Sequence, residues 1–299
     1  MIYTVTFNPA LDYVMNLKQL QYKDINRTES EQLYYGGKGI NVSVILSRLK
    51  VDNIALGFLA GFSGKKIEEM LNAENIKNDF VYLKKGYTRI NVKIKADEDY
   101  DINAQGPDIE LDELNALFDK FEKLKSGDFL VLAGSIPNSL PDDIYEEILA
   151  KLQNKGINFA VDATGDLLLN VLKYKPFLIK PNHHELGDVF GVEVKTEKEI
   201  AYYAKKLQEM GARNVLVSRS KDGATLVDEF GEVHSMGNVP GKVLNPVGCG
   251  DSMVAGFTAG ILQGDYEYAL KLGTAAGGAT AFSDGLAQKE KIAELLETL

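Results

Sequence analysis

The sequence predicts an α/β protein in which helices pack on a mostly parallel sheet. Short β-rich runs alternate with segments of helical spacing along almost all of the 299 residues. Apolar residues make up 45% and charged residues 25% of the chain, as is typical of a globular domain. No repeat or Pro-rich linker divides the chain, so one domain spanning residues 1–299 is expected.

Seven short apolar runs bounded by turn residues are predicted strands. They are Ile2–Phe7, Asn53–Phe58, Asp128–Ala133, Asn158–Asp162, Phe177–Lys180, Asn214–Ser218 and Gly223–Val227. Eight segments with apolar residues three and four positions apart are predicted helices. They are Gly39–Leu49, Lys65–Leu71, Asp112–Lys125, Pro141–Asn154, Glu197–Met210, Asp251–Leu262, Tyr266–Phe282 and Gln288–Leu299. This alternation is typical of βαβ units, whose strands run parallel.

Two segments interrupt the alternation. Val14–Tyr35 is mixed and β-leaning, and Arg89–Ile94 alternates strictly between apolar and polar residues. One interpretation is a small β lid over a site, built from insertions at about 14–35 and 87–105. The other is that both segments are edge strands of the main sheet.

Charge and cysteine content exclude several classes of function. The chain has 43 acidic and 33 basic residues, and a net charge of −10 argues against binding to nucleic acid or an anionic membrane. The single cysteine, Cys249, excludes an internal disulfide framework and a Cys-based zinc site. The sequence contains neither a secretory signal pattern nor a run of ~18 apolar residues, so a cytoplasmic protein is expected.

The segment Asn245–Ser252 leads from a Gly-containing turn into an apolar helix. Gly248 and Gly250 let the backbone approach a ligand closely, and the first N–H groups of the helix, including that of Cys249, favour an anion. Asp251 could then take a proton from a nucleophile that attacks the bound group. The sequence here predicts an anion hole with a catalytic base, although Asp251 and Ser252 could simply cap the helix.

Two segments near the N-terminus are candidates for binding a polyol. Asp12 follows the first predicted strand, where ligands bind in parallel sheets, although Asn8-Pro9 could simply form a turn. The run Gly36-Gly37-Lys38-Gly39-Ile40-Asn41 opens a helix. Its glycines allow close approach of a ligand, while Lys38 and Asn41 offer a charge and an amide. The spacing differs from that of a Walker loop.

Arg89 is the best single candidate for a phosphate clamp because its guanidinium can bind two oxygens at once. A solvated basic face is the alternative for this region. Ser135 follows the predicted strand Asp128–Ala133 and could either bond a phosphate or start a turn.

Two later segments could hold a metal and a nucleotide. Asn182 and Glu185 lie one helical turn apart and offer the hard oxygen ligands that suit Mg²⁺, usually through water. The neighbouring His183-His184 pair lacks the spacing of a zinc site. Ser218–Ala224 could wrap nucleotide phosphates with its backbone amides, or it could be a plain hairpin.

These motifs, in this order along one chain, resemble the ribokinase/PfkB family of sugar kinases. The resemblance implies a ribokinase-like three-layer α/β/α core, ATP as donor, Mg²⁺ as cofactor, and a β lid that can form a homodimer contact. It implies that Asp251 is the base and that Gly248, Cys249 and Gly250 form the anion hole. It places Asp12, Gly36, Gly37, Lys38, Asn41, Arg89 and Ser135 around the sugar phosphate. It assigns Ser218, Ser220, Gly223 and Gly250 to ATP, and Asn182 and Glu185 to Mg²⁺.

Within the family, Asn26-Arg27 and the stretch Thr88–Lys93 resemble members that phosphorylate the 6-hydroxyl of fructose 1-phosphate. Tagatose 6-phosphate is the alternative acceptor. A non-catalytic sensor of sugar phosphates is a third interpretation, against which the intact Asp251 argues.

The sequence departs from the family pattern at three places. Cys249 stands where alanine is usual, and Arg219-Ser220 stands where Leu-Gly is usual. Asn245-Pro246 replaces the Ser or Thr that usually precedes the anion hole. These departures put the shape of the nucleotide loop and the approach to the anion hole in question.

Overall fold

The computed structural model describes residues 1–299, which form thirteen strands and ten α-helices. The strands are β1 (Ile2–Thr6), β2 (Ala10–Asn16), β3 (Ser30–Gly36), β4 (Asn53–Leu59), β5 (Val81–Tyr82), β6 (Arg89–Lys95), β7 (Asp99–Ile102), β8 (Phe129–Ala133), β9 (Asn158–Asp162), β10 (Leu178–Ile179), β11 (Asn214–Ser218), β12 (Ala224–Val227) and β13 (Val233–Met236). The helices are α1 (Lys38–Arg48), α2 (Gly61–Ala73), α3 (Leu111–Phe121), α4 (Ile144–Leu152), α5 (Gly165–Val171), α6 (His183–Phe190), α7 (Glu197–Glu209), α8 (Cys249–Ile261), α9 (Tyr266–Ala281) and α10 (Lys289–Leu296). None of the helices is long and apolar enough to cross a bilayer.

The main sheet has nine strands in the order β13-β12-β11-β10-β9-β8-β1-β4-β5. All neighbouring pairs from β11 to β5 are parallel, whereas β12 and β13 join as an antiparallel edge. The predicted mostly parallel sheet is confirmed.

Side chains of β8 show why the molecule has three layers. Leu130 and Leu132 join a core shared with α3 to α7, whereas Phe129 and Val131 join a second core shared with α1, α8, α9 and α10. Because successive residues of a strand point to opposite faces, this run of five buried residues requires helices on both sides. The predicted α/β/α layering is confirmed.

Some short elements escape the sequence prediction. Strand β5 has only two residues and α5 has seven, which is too few for a periodic pattern. Strand β13 alternates between exposed and half-buried residues, and it lies at the sheet edge. Tertiary contacts fix these elements, so their own sequences carry little signal.

A second sheet of four strands, in the order β3-β2-β6-β7, is separate from the main sheet. The alternative that these segments are edge strands of the main sheet is therefore wrong. Strand β2 begins at Ala10, earlier than expected, and pairs with β6 in parallel so that Asp12 lies opposite Asn91. Asp12 is thus on a strand of this second sheet and not in a turn, which was the alternative that Asn8-Pro9 suggested.

The carboxyl ends of β1, β8, β9, β10 and β11 point to the same edge of the main sheet because these strands are parallel. The strand order reverses at β1, between its neighbours β4 and β8, and such a switch point opens a crevice at the carboxyl edge. The polar residues that follow these strands therefore converge.

Candidate active site

A cleft of about 1380 Å³ lies at this edge and includes residues of the second sheet. All sixteen residues that the sequence assigned to the catalytic, substrate, nucleotide and metal sites line it: Asp12, Gly36, Gly37, Lys38, Asn41, Arg89, Ser135, Asn182, Glu185, Ser218, Ser220, Gly223, Gly248, Cys249, Gly250 and Asp251. These residues span 240 positions of the chain, so only the fold brings them together.

The amino end of α8 lies within the cleft and presents free N–H groups to it. Gly248 caps the helix with φ of 82°, a left-handed conformation that favours glycine. The amides of Cys249, Gly250 and Asp251 have no acceptor within the protein, whereas that of Ser252 donates to the Gly248 carbonyl at 2.9 Å. Three free N–H groups at a helix amino end favour a phosphate.

Asp251 lies in the first turn of α8 and is only 5% exposed. Its Oδ2 accepts a hydrogen bond of 2.8 Å from Nδ2 of Asn41. Burial, and then the charge of Asp162, raise the pKa of Asp251 to about 6, while Asn41 and the nearby lysines act in the opposite direction. A carboxylate with this pKa is ionised at neutral pH and is basic enough to accept a proton.

The glycines around the start of α1 have a packing role in the fold. A Cβ on Gly39 would lie 2.5 Å from the carbonyl oxygen of Val5, and one on Gly37 would lie 2.6 Å from Cγ2 of Thr6. These glycines allow α1 to pack closely against β1, a structural reason for them beside the predicted one of ligand approach, and Gly37 also lines the cleft. Gly36 alone borders a site residue, since a Cβ there would lie 3.1 Å from Oδ2 of Asp12.

Asp12 and Asn91 form a polar pair on the second sheet. Nδ2 of Asn91 donates to Oδ1 of Asp12 at 2.8 Å, and Oδ1 of Asn91 accepts from the Ala104 amide at 3.2 Å. This arrangement orients the Asp12 carboxylate and leaves Oδ2 without a hydrogen bond from the protein. The carboxylate is suited to accept hydrogen bonds from a hydroxyl-bearing ligand.

Arg89 presents an unpaired guanidinium to the cleft. Its one hydrogen bond runs from Nη1 to the Ala104 carbonyl at 3.4 Å, and its buried Nε has no partner. Burial lowers its pKa from the usual value, although Asp12 acts against this. A buried donor without an acceptor is costly, so the side chain is suited to bind an anionic ligand.

A cluster of ion pairs formed by Lys38, Asp162 and Lys180 lies in the cleft and was not predicted from the sequence. Oδ2 of Asp162 lies 3.0 Å from Nζ of Lys38, and Oδ1 lies 3.3 Å from Nζ of Lys180. The predicted strands Asn158–Asp162 and Phe177–Lys180 end on these residues, at positions where site residues are expected in a parallel sheet. That position was the signal that could have identified them.

Asn182 and Glu185 close the amino end of α6 as a capping box. Oδ1 of Asn182 accepts from the amides of His184 and Glu185, and Oε2 of Glu185 accepts from the amide of Asn182. Both lone pairs of the Asn182 oxygen are therefore used, whereas Oε1 of Glu185 has no hydrogen bond. Glu185 fits a magnesium ion bound through water, and Asn182 fits the role of holding Glu185 in place.

Replacing Glu185 with Gln should raise the Mg²⁺ concentration for half-maximal rate by about tenfold. A glutamine can keep the capping box, so the melting temperature should stay unchanged. Glu199→Gln is the matched control, because Glu199 closes the same kind of box at α7, outside the cleft. Titration of activity with MgCl₂ tests this, and equal Mg²⁺ curves for Glu185→Gln and the control would contradict it.

The loop between β11 and β12 follows Ser218, carries Ser220 and Gly223, and lines the cleft together with Ser218. Ser220 has φ of 53°, so it adopts the left-handed conformation that favours glycine. A Cβ on Gly223 would lie 2.1 Å from the Met236 carbonyl oxygen. Nη2 of Arg219 donates to that same carbonyl at 3.1 Å. The unusual Arg219-Ser220 pair thus braces the loop.

The other two departures from the family pattern also fit locally. Oδ1 of Asn245 accepts from the Val247 amide at 3.0 Å, so Asn245-Pro246 forms a turn that leads to the anion site. The Cys249 thiol donates to the Asn245 carbonyl at 3.6 Å. Burial, and then Asp251, raise the pKa of Cys249 to about 11, so the thiol stays protonated.

Ser135 and the histidine pair have weaker roles in the geometry. Ser135 is exposed after β8. His183 and His184 stack with ring centroids 3.9 Å apart, and the buried Nδ1 of His183 has no partner. Their rings face each other, and no third histidine or cysteine joins them to make a zinc site.

Comparisons with known proteins agree on one family. A sequence model described as "pfkB family carbohydrate kinase" matches residues 5–292. The chain is 46% identical to the 1-phosphofructokinase of Bacillus subtilis, over 99% of this chain and 97% of that protein. It is 38% identical to the D-tagatose-1-phosphate kinase of Bacillus licheniformis, over 98% of this chain and 96% of that protein.

Solved structures show the same architecture. Phosphofructokinase-2 from Escherichia coli, in complex with substrates and products, superimposes with a TM-score of 0.94 at 27% identity, over 100% of this chain and 99% of that one. Ribokinase from Arabidopsis thaliana superimposes with a TM-score of 0.81 at 18% identity, over 99% and 98% of the two chains. The second likeness shows the fold alone, and it confirms the ribokinase-like architecture.

Proposed function

Since the chain belongs to the pfkB family of carbohydrate kinases, we propose that it transfers the γ-phosphoryl group of ATP to the 6-hydroxyl of fructose 1-phosphate. The resemblance predicted from the motifs is confirmed, and the protein is a phosphotransferase that acts on an alcohol group. The products of the proposed reaction are fructose 1,6-bisphosphate and ADP. The 1-phosphofructokinase relative that matches over nearly the full length supports this acceptor.

The free amides at the amino end of α8, next to the buried carboxylate of Asp251, carry the proposal. Asp251 takes the proton of the 6-hydroxyl while that oxygen bonds to the γ-phosphorus. The bond from this phosphorus to the β–γ bridging oxygen breaks, and ADP leaves with the electron pair. The amides of Cys249, Gly250 and Asp251 stabilise the charge on the transferred group.

At the acceptor end, Asp12 and Asn91 offer groups for sugar hydroxyls, and Arg89 offers its guanidinium to the 1-phosphate. At the donor end, the loop with Ser218, Ser220 and Gly223 offers backbone amides to the nucleotide. Bound magnesium would neutralise charge on the β- and γ-phosphates, held through water by Glu185. Both substrates would then meet at Asp251.

A panel of acceptors tests the proposed function. ADP release should be fastest with fructose 1-phosphate and much slower with fructose 6-phosphate or tagatose 6-phosphate. The 6-phosphates carry phosphate on the oxygen that must attack, so they could react only in the opposite orientation. The proposal fails if fructose 1-phosphate gives no ADP above the rate without acceptor.

Tagatose 1-phosphate is a second acceptor that the panel should include. The relative from Bacillus licheniformis is a D-tagatose-1-phosphate kinase and is 38% identical over nearly the whole chain. Tagatose 1-phosphate differs from fructose 1-phosphate only in the configuration at carbon 4. The 1-phosphate is therefore the shared feature, and the 6-phosphate alternative from the sequence is less supported.

The rate should fall about tenfold for each pH unit below about 6. The base acts only when ionised, and the pKa of Asp251 is raised to about 6 by burial and by Asp162, against Lys38 and Lys180. Measurement of kcat from pH 5 to pH 8 at saturating substrates tests this. A flat profile down to pH 5 would show that Asp251 does not control the rate.

We propose that the four-stranded sheet acts as a lid and pairs two chains. It leaves apolar side chains exposed on both edge strands, including Leu33 on β3 and Ile102 on β7, which are 41% and 59% exposed. Sedimentation should therefore give twice the mass of one chain, and Leu33→Glu combined with Ile102→Glu should give a single chain. Leu111→Glu, on the exposed face of α3, is the control. A wild-type protein that sediments as one chain would refute the pairing.

A further inference from the structure

The ion-pair cluster of Lys38, Asp162 and Lys180 has no role in the reaction described so far. The three residues come from the start of α1, the end of β9 and the position after β10. Asp162 is 3% exposed and Lys180 is 7% exposed, whereas Lys38 is 43% exposed. Both carboxylate oxygens of Asp162 are used, one for each lysine.

The two lysines occupy different parts of the cleft. Lys180 lies against the anion site, because a Cβ on Gly250 would be 3.1 Å from its Nζ. Lys38 follows the Gly36-Gly37 turn, and Gly36 borders Asp12, so the backbone of Lys38 lies near the acceptor residues while its side chain reaches Asp162. The charge of Asp251 acts on Lys38 as well. Both lysines are therefore close to the position where the phosphoryl group is transferred.

We propose that Asp162 is a positioning residue that holds Lys180 on the anion site and Lys38 beside the acceptor, so that both ammonium groups face the transferred phosphoryl group. This role rests on the proposed function. Asp162 itself does not touch substrate, since its oxygens are engaged by the lysines.

Electrostatics gives a reason for a carboxylate at this position. Two ammonium groups within the same cleft repel each other, and a buried ammonium needs a partner to stay charged. Burial alone would raise the pKa of Asp162, but Lys180 and Lys38 together lower it, so the carboxylate stays ionised. The cluster therefore keeps one net positive charge beside Asp251 and the phosphoryl group.

The charges of Lys38 and Lys180 also act on a second carboxylate, that of Asp251. If Asp162 were removed, both lysines could pair with Asp251 instead. Pairing with Asp251 would draw them away from the phosphoryl group and make the base weaker. Loss of the Asp162 charge would also lower the pKa of Asp251, because that charge raises it in the wild-type protein. The groups that act on Asp251 are Asn41, Lys38, Lys180 and Asp162.

The test is the Asp162→Asn variant in the complete chain, assayed by ADP release with fructose 1-phosphate. We expect kcat to fall about 10- to 100-fold, as for a displaced catalytic group, with smaller changes in KM. We also expect the acid limb of the kcat profile to move to lower pH by at least half a unit. A purely structural role would lower the melting temperature and leave the acid limb in place.

The matched control is Asp79→Asn. Asp79 also bridges two lysines, with Oδ1 2.5 Å from Lys120 and Oδ2 3.3 Å from Lys123, but it lies outside the cleft. The kcat of the Asp79→Asn variant, and the acid limb of its kcat profile against pH, should equal those of the wild type. If Asp162→Asn matches this control in both quantities, the proposal is overturned.

Two further measurements keep the outcome decisive. Should Asp162→Asn fail to fold, Asp162→Glu decides: the retained charge should keep the acid limb in place, while displaced lysines should lower kcat at least threefold. Wild-type kcat in Asp162→Glu would overturn the proposal. An inactive wild-type protein would refute the proposed function instead, so the two failures are distinguishable.

Discussion

Replacing Asp251 with Asn is expected to lower kcat for fructose 1-phosphate by about 10²- to 10⁴-fold. The new amide keeps the size of the carboxylate but cannot take the proton of the 6-hydroxyl. KM for both substrates should change little, because the anion site is made of backbone amides that remain. Steady-state kinetics with each substrate varied in turn gives the two constants separately.

Asp166→Asn is the control for this substitution. Asp166 also lies in the first turn of a helix, α5, but it is exposed and outside the cleft. Its kcat should equal that of the wild type. An Asp251→Asn protein that kept most of its kcat would show that another group accepts the proton.

Replacing Arg89 with Lys is expected to raise KM for fructose 1-phosphate by about 10- to 100-fold. A lysine keeps the charge but loses the planar fork that binds two phosphate oxygens, and it is shorter. KM for ATP should stay within twofold, since Arg89 lies on β6 of the lid, away from the nucleotide loop. Initial rates over a wide range of fructose 1-phosphate concentrations measure the effect.

Lys93→Gln serves as the control on the same strand. Lys93 pairs with Asp101 at 3.2 Å and does not line the cleft. Its removal should leave KM for the sugar phosphate unchanged. Equal KM values for Arg89→Lys and Lys93→Gln would mean that the 1-phosphate is bound elsewhere.

Much of the fold could be predicted because the relevant information is local. Buried strands such as Asn158–Asp162 and Asn214–Ser218 are short apolar runs, and their predicted bounds are those of β9 and β11. Short or exposed elements such as β5 and β13 have no such pattern, since contacts with neighbouring strands define them. The register of the four-stranded sheet was also beyond prediction, and it places Asp12 opposite Asn91.

For the site, the sequence by itself determined which local motifs are candidates for the chemistry. A helix that begins after a glycine exposes free amides whatever surrounds it, so the anion site before Asp251 could be read from Gly248 and Gly250. Glycines can be required either for close packing of a helix against a strand or for close approach of a ligand. The sequence alone could not tell which of these two reasons applies to Gly37 and Gly39.

Only the tertiary structure decided how these motifs act on one another. Asp162 meets Lys38 from 124 positions earlier in the chain, and Asn41 meets Asp251 from 210 positions away. The raised pKa of Asp251 follows from burial and from the charge of Asp162, and neither is a property of its own sequence neighbourhood. Electrostatic interactions depend on distance and on exclusion of water, and both are set by the folded chain.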